Sequence, residues 1–226
     1  MPLKDELDAF RSEFMTKVSP EIRNAMTRAD TELAAAGITK HALRAGDPVP
    51  DFRLPDARGC QVRFRDLLAK GPVVVSFYRG GWCPYCNLEL RALQNALPEI
   101  KQLGAQLVAI SPQTPDESLS TAEKNELEFA VLSDIGSATA KAYGIAFDLT
   151  EELRPIYSRL GHALPDKNGD DSWILPIPAT YVIDKDGIVA LAFVDVDYRN
   201  RLEPSEIVAA LKTLSEKASH ETVATD

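Results

Sequence analysis

An apolar run followed by two glycines and a Cys-x-x-Cys pair constrains this chain more than any other stretch. Residues 73–77, Val-Val-Val-Ser-Phe, are typical of a strand that is covered on both faces. Gly80 and Gly81 then allow the backbone to turn sharply. Pro84 suits the first position of a helix, and the leucines that follow at spacings of three and four continue that helix. This arrangement predicts Cys83 at the helix N-cap.

A cysteine at a helix N-terminus is suited to redox chemistry. Unpaired N–H groups and the positive end of the helix dipole favour a thiolate there, so we expect the pKa of Cys83 to lie below that of an ordinary thiol. Cys86 follows one turn later on the same face, where its sulfur can meet that of Cys83. We therefore expect Cys83 to be the more exposed and reactive cysteine and Cys86 to resolve it. The competing hypothesis is a pair of structural cysteines that happen to lie close.

Composition and charge exclude several classes of protein. The chain has 226 residues, of which 45% are hydrophobic, as in ordinary globular domains. Its net charge of −9 argues against nucleic acid or an anionic membrane as a partner. Apolar runs stay well short of the roughly 20 residues that span a bilayer. The charged N-terminus lacks the apolar core of a signal peptide, so we expect a cytoplasmic protein with reduced cysteines.

Residues 1–45 are predicted to form a helical extension. Apolar residues recur at helical spacing on both sides of Ser19-Pro20, which reads as an N-cap followed by proline at the first helical position, and Gly37 ends the second helix. Two hypotheses remain open for this extension. It either packs on the main domain as a helical hairpin or provides the contact of a homodimer.

Strand and helix patterns alternate through residues 46–218, which predicts an α/β domain with a central mixed sheet flanked by helices. A hairpin opens the domain, and Cys60 lies within it. That cysteine is interpreted either as a second resolving thiol or as a half-buried strand residue without a role. Residues 165–171 are predicted to form a polar loop, and residues 219–226 a polar tail.

The Cys-Pro-Tyr-Cys run, followed far downstream by Ile-Pro-Ala-Thr-Tyr-Val-Ile-Asp at 177–184, resembles the thioredoxin superfamily. Together with the opening hairpin at 46–59 and the segments 108–111 and 131–134, it resembles most closely the alkyl hydroperoxide reductase C / thiol-specific antioxidant branch, the peroxiredoxins. The resemblance covers residues 46–215 and implies a thioredoxin-like fold.

The sequence departs from that branch at the active site. Peroxiredoxins usually place a proline seven residues and a threonine or serine three residues before the reactive cysteine. Counted back from Cys83 these positions hold Ser76 and Gly80, and counted from Cys86 they hold Arg79 and Cys83. Pro178 stands where the family places an arginine, and it is similar to the cis-proline that thioredoxins set opposite their cysteines. The sequence leaves open whether the missing threonine and arginine are functionally replaced or lost.

The resemblance implies a thiol peroxidase. The thiolate of Cys83 would attack a hydroperoxide and become a sulfenic acid, Cys86 would condense with it to a disulfide, and thioredoxin or a similar dithiol would reduce that disulfide. This chemistry requires no metal or organic cofactor. Arg79 is the candidate charged donor to the peroxide oxygens, although it is equally interpreted as a surface arginine paired with an aspartate. Trp82 is expected to pack beside Cys83 and limit its exposure.

Two other functions use the same residues. A thiol–disulfide oxidoreductase acting on protein disulfides would employ both cysteines, with Pro178 bordering the groove where a substrate chain docks. A structural zinc module would need about four ligands. The chain offers one Cys-x-x-Cys pair and three histidines, His41, His162 and His220, that lack ligand spacing.

Overall fold

The computed structural model describes the backbone of residues 1–223 and the side chains of residues 1–217. The helices are α1 (Leu3–Lys17), α2 (Pro20–Ala36), α3 (Phe64–Leu68), α4 (Pro84–Gln102), α5 (Pro115–Lys124), α6 (Ala138–Ala142), α7 (Leu153–Arg159), α8 (Leu164–Asn168) and α9 (Pro204–Val223). The strands are β1 (Arg53–Pro55), β2 (Gln61–Arg63), β3 (Val73–Phe77), β4 (Gln106–Ser111), β5 (Ala130–Ser133), β6 (Ala146–Asp148), β7 (Ile174–Pro176), β8 (Ala179–Ile183) and β9 (Val189–Val194).

A five-stranded mixed sheet forms the centre of the molecule, as the sequence predicts. Its strand order is β5-β4-β3-β8-β9, in which β3, β4 and β5 run parallel, β8 runs antiparallel to β3, and β9 runs antiparallel to β8. Val75 in the middle of β3 pairs with Val108 on one side and Tyr181 on the other. Every residue of β3 is fully buried, because one face of the sheet packs against α4 and α9 while the other covers the cluster around Phe64 and Tyr143.

The two predicted N-terminal helices are confirmed, and both pack against the rest of the chain. α1 lies on α4 and contributes Leu3 and Leu7 to the core beneath that helix. α2 lies on α7, where Ala25 and Ala29 join a separate apolar cluster with Ile156. The small side chains of these alanines let the two helices approach closely. A homodimer contact through the same extension stays a prediction.

Two segments differ from the sequence prediction. Residues 165–171 were expected to form a loop, yet α8 occupies most of them, because Pro165 fits the first turn of a helix and Gly169 adopts the left-handed conformation that ends it. α9 continues to Val223, so the backbone of residues 219–223 is helical, while 224–226 lie outside the described residues. Within the described chain, none of the helices has the length and apolar character that a bilayer span requires.

Candidate active site

The turn between β3 and α4 depends on its two glycines. Gly80 has a φ of +150°, and a Cβ there would collide with the indole nitrogen of Trp82. A Cβ at Gly81 would collide with the hydroxyl of Thr121. Larger residues therefore cannot occupy this turn without displacing their neighbours, which explains why the chain uses glycine where it enters the helix.

Cys83 occupies the N-cap of α4, as predicted, with φ −86° and ψ 114°. Its carbonyl accepts the first helical hydrogen bond from the N–H of Asn87 at 3.1 Å, and Pro84 takes the first helical position. Both Cys83 and Cys86 are free thiols, and both are buried, with exposed fractions of 2% and 0%. Cys83 is the more accessible of the two, but the difference is smaller than its N-cap position suggests.

The pKa values of the two thiols are shifted in opposite directions. Burial alone would raise the pKa of Cys83, but a hydrogen bond from Cys86 and the positive charges of Arg79 and Arg201 bring it down to about 6. Burial and that same hydrogen bond raise the pKa of Cys86 above its ordinary value. At neutral pH the pair therefore carries one negative charge, held on Cys83, while Cys86 keeps its proton.

Arg79 is a buried cation, and its interpretation as a surface arginine paired with an aspartate is wrong. Its exposed fraction is 3%, and it has no carboxylate partner among the described residues. One Nη donates to the hydroxyl of Tyr157, while the guanidinium carbon lies 4.2 Å from the ring centre of Tyr198 and 5.1 Å from that of Trp82. Such stacking holds a guanidinium whose charge favours the nearby thiolate.

A second buried arginine, which the sequence did not single out, lies on the other side of the cysteine pair. Arg201 places one Nη 3.6 Å from the sulfur of Cys86, and its Nε donates to the carboxylate of Glu89 at 2.6 Å. Thr180 also donates to Glu89, at 3.3 Å. Burial raises the pKa of Glu89 to about 7, although the charge of Arg201 acts in the opposite direction. Arg201 thus places a second buried guanidinium beside the cysteine pair.

Only part of this second cluster left a signal in the sequence. Glu89 lies three residues after Cys86 and therefore on the same face of α4, an apolar face on which a lone acid needs a partner. Arg201 lies in the loop between β9 and α9, a region without a periodic pattern. No local spacing points from that loop to the cysteines.

Buried side-chain amides form hydrogen bonds to the glycine turn. The N–H of Gly81 donates to the side-chain carbonyl of Gln113 at 2.7 Å, and the carbonyl of Gly81 accepts from the amide of Asn87 at 2.9 Å. Asn125 in turn donates to Asn87 at 2.9 Å. This chain of bonds fixes the position of the turn, and with it that of Cys83, relative to α5.

Trp82 and Pro178 take different positions relative to the sulfurs. Trp82 is half-buried beside Cys83, as expected, and its ring stacks on His162 with 5.2 Å between centres.

Pro178 is buried immediately before β8, whose first residue pairs with Phe77, and it lines none of the cavities around the site. The expectation of a cis-proline is wrong, because the described residues contain no cis peptide bond. The trans bond is the ordinary form and lets the chain run directly into β8.

A cavity of about 180 Å³ opens onto Cys83 and not onto Cys86. Aromatic side chains dominate its walls, which are formed by Phe10, Phe14, Trp82, Tyr85, Tyr157 and Tyr198, together with Arg79 and His162. Tyr198, which follows β9 in the sequence, is therefore part of the wall. In the portion of the chain with described side chains, no cluster of three or more His, Cys, Asp or Glu residues could hold a metal ion.

Comparison with known proteins gives consistent matches over most of the chain. A model of the AhpC/TSA family matches residues 45–192. The chain is 30% identical to a chloroplastic peroxiredoxin Q of Sedum lineare over 161 residues, which is 71% of this chain and 72% of that protein. It is 34% identical to peroxiredoxin Bcp of Escherichia coli K12 over 103 residues, covering 46% of this chain and 65% of the relative.

Solved structures resemble this chain over about three quarters of its length. The crystal structure of peroxidoxin BcpB from Mycobacterium tuberculosis superposes with a TM-score of 0.60 and 25% identity, covering 76% of this chain and 98% of that one. A reduced 2-Cys peroxiredoxin of Plasmodium vivax gives a TM-score of 0.62 at 19% identity, with coverage of 79% and 86%. The second likeness concerns the fold alone.

Proposed function

The chain belongs to the AhpC/TSA family, and from this premise we propose that it is a thiol-dependent peroxidase whose attacking atom is the sulfur of Cys83. The observation that carries the proposal is the placement of this sulfur. It lies at the N-cap of α4 and lines the cavity together with the buried guanidinium of Arg79. Against the effect of burial, the hydrogen bond from Cys86 and the charges of Arg79 and Arg201 lower its pKa to about 6. A nucleophile, a positive environment and an access route therefore coincide.

The first step transfers one oxygen atom. The Cys83 thiolate attacks the terminal oxygen of a hydroperoxide, a sulfur–oxygen bond forms, and the oxygen–oxygen bond breaks. The departing hydroxide or alkoxide takes up a proton and leaves as water or an alcohol, while Cys83 becomes a sulfenic acid. Negative charge thus moves from sulfur to the leaving oxygen, where a nearby cation and hydrogen-bond donors stabilise it.

Arg79 and Arg201 serve in this step in place of the family's threonine and arginine. Arg79 lines the cavity that opens onto Cys83, where its guanidinium can donate to the peroxide. Arg201 is farther from the cavity and contacts Cys86, so it acts mainly on the charge of the pair. Its bond to Glu89 fixes its orientation.

The second step consumes the thiol of Cys86. Its sulfur attacks the sulfenic sulfur, a disulfide forms, and the hydroxyl leaves as water with the proton that Cys86 carried. Thioredoxin or a similar dithiol then reduces the disulfide by exchange and is itself oxidised. Because both sulfurs are buried, a protein reductant requires local opening of the turn or of the first turn of α4.

Disulfide exchange with other proteins is the second candidate, and the Cys-Pro-Tyr-Cys sequence at the helix start is what favours it. The named relatives support the peroxidase instead.

A cytoplasmic location and a homodimer are further proposals. The first is supported by the acidic net charge, and the second by the helical extension. Cell fractionation and sedimentation of the purified protein would test them.

The test compares two substrates of the fully reduced protein. Hydrogen peroxide, followed by the fluorescence of Trp82 beside the site, should oxidise it at least about a thousandfold faster than a free thiol. Reduction of insulin disulfides should be slow. A peroxide reaction no faster than that of an ordinary thiolate, combined with rapid insulin reduction, would contradict the peroxidase and support disulfide exchange.

A further inference from the structure

A second cavity adjoins the one that opens onto Cys83. Its volume is about 250 Å³, and it lies between α2 on one side and β6 and α7 on the other. The two cavities share four lining residues, Met26, Arg79, Tyr157 and Tyr198. Arg79 therefore stands at the junction, and we name this second space the α2 cavity.

The walls of the α2 cavity are mainly apolar. α2 contributes Ala29, Leu33 and Ala36, and the opposite wall includes Phe147 and Leu153. Acidic residues, in contrast, line its margin. These are Asp30, Glu32 and Asp148. A space of this kind favours a compact apolar group. It also disfavours an anion, because an anion would approach the carboxylates of Glu32 and Asp148, whereas Asp30 is paired with Arg199 at 2.7 Å.

The polar group at the junction has unused hydrogen-bonding capacity. The Nε of Arg79 is buried and has no hydrogen-bond partner, although one Nη donates to the hydroxyl of Tyr157. A buried guanidinium N–H without an acceptor is costly, since most buried donors in proteins are paired. An acceptor oxygen at the junction of the two cavities would satisfy it.

We propose that the α2 cavity binds the apolar body of a neutral organic hydroperoxide, whose oxygens then face Arg79 and Cys83. The inference rests on the proposed peroxidase function and specifies its substrate. Because α2 lies outside the segment that the family model matches, the N-terminal extension would determine this specificity. The alkoxide released when the oxygen–oxygen bond breaks takes up a proton and leaves as the alcohol, while Cys83 becomes the sulfenic acid.

Two neighbouring alanines provide a matched test. Ala36 ends α2, is exposed at its surface and lines the cavity, so Ala36→Trp places an indole at the rim of the space. Ala35 is also exposed but lines neither cavity, so Ala35→Trp is the control. Leu33→Trp is a second substitution that fills the cavity, and circular dichroism would verify that each variant is folded.

The measurement is the second-order rate constant of the reduced protein with cumene hydroperoxide, with hydrogen peroxide and with the hydroperoxide of linoleate, an anion. Wild-type protein should prefer cumene hydroperoxide to the anion. Ala36→Trp or Leu33→Trp should lower the ratio of the cumene hydroperoxide constant to the hydrogen peroxide constant roughly ten- to hundredfold. Ala35→Trp should leave the ratio unchanged.

The outcomes separate the two proposals. Rapid oxidation by hydrogen peroxide together with ratios that are the same in all four proteins would overturn the assignment of the α2 cavity and leave the peroxidase intact. A preference for the linoleate hydroperoxide would also overturn it, because the acidic rim would then not select against an anion. Slow reaction with every peroxide would overturn both the peroxidase and this inference.

Discussion

The segment that the family model matches and the two flanks outside it contribute different things to the site. Residues 45–192, called the shared segment below, carry both cysteines, Arg79 and Glu89, which are the groups that react or hold charge in the proposed mechanism. The flanks carry the groups that surround them, namely Phe10, Phe14, Met26, Tyr198 and Arg201. In this proposal the shared segment holds the reactive atoms, while the flanks enclose them and add a second cation.

The flanks also bind each other across the site. Glu203, in the C-terminal flank, accepts from the N–H groups of Leu3 and Lys4 at 3.1 and 2.7 Å and so caps α1. Arg199 forms an ion pair with Asp30 of α2 at 2.7 Å. Segments that lie at opposite ends of the sequence therefore form one enclosure. Substitutions in the two flanks could therefore alter the access of substrate to the site while the shared segment stays the same.

The largest effect is expected from the reactive atom itself. Cys83→Ser should lower the rate of peroxide reduction by at least about a thousandfold, because a hydroxyl is not ionised at neutral pH. Cys60→Ser is the matched control, since Cys60 is exposed in the β1–β2 turn and lies outside both cavities. Its rate should equal that of the wild type in the same peroxide assay. An equal loss in both variants would contradict the assignment of Cys83.

A substitution of Arg201 tests how much the stability of the protein depends on a contact between the C-terminal flank and the shared segment. Arg201→Met removes the partner of a buried carboxylate, so unfolding by urea should show a loss of about 3–5 kcal/mol. Lys212 lies in the same flank as Arg201, and Lys212→Met, which breaks its exposed ion pair with Glu99, should cost at most about 1 kcal/mol. Equal losses would mean that the buried pair contributes no more than a surface contact.

Arg79 tests whether the charge inside the shared segment sets the reactivity. The pKa of Cys83 is depressed to about 6, so the thiolate, and with it the peroxide rate, should increase as pH rises through 6 and level off above about 7. Arg79→Met removes one stabilising cation and should move this midpoint upward by about one unit or more. Arg79→Lys keeps the charge and should move it less. A midpoint that stays at 6 in Arg79→Met would assign the depression to the hydrogen bond from Cys86 and the charge of Arg201.

The smallest effect is expected at Thr180, which lies in the shared segment. Its hydroxyl donates to Glu89, the partner of Arg201. Thr180→Val removes one hydrogen bond to Glu89 and should destabilise the protein by roughly 1–2 kcal/mol in the same urea assay. Thr213→Val, on the exposed surface of α9, is the control and should change stability by less than about 0.5 kcal/mol. A loss as large as that in Arg201→Met would contradict the ranking of the two contacts.

Local signals made the centre of the fold and the position of Cys83 predictable. A β-branched run, two glycines and a proline determine β3, the turn and the start of α4 from neighbouring residues alone. Arg201 could not be predicted in this way, because it lies 115 positions from the cysteine that it contacts and only the tertiary fold brings them together. The burial of Arg79 follows likewise from rings that three separate segments supply, at Trp82, Tyr157 and Tyr198.

The errors have physical reasons as well. The resemblance to thioredoxin suggested a cis bond before Pro178, but a proline can precede a strand with the ordinary trans bond, and here it does. α8 was missed because proline and glycine indicate turns as readily as they indicate helix ends. In both places one residue type is compatible with two backbone conformations.

The most direct test of the central claim identifies which sulfur is oxidised first. The Cys86→Ser protein, treated with one equivalent of hydrogen peroxide and a dimedone probe for sulfenic acids, should carry the adduct on Cys83 when its peptides are analysed by mass spectrometry. The Cys83→Ser protein should remain almost unlabelled over the same time. Rapid labelling of Cys86 in Cys83→Ser, with no adduct on Cys83 in Cys86→Ser, would contradict the account and make Cys86, beside Arg201, the attacking residue.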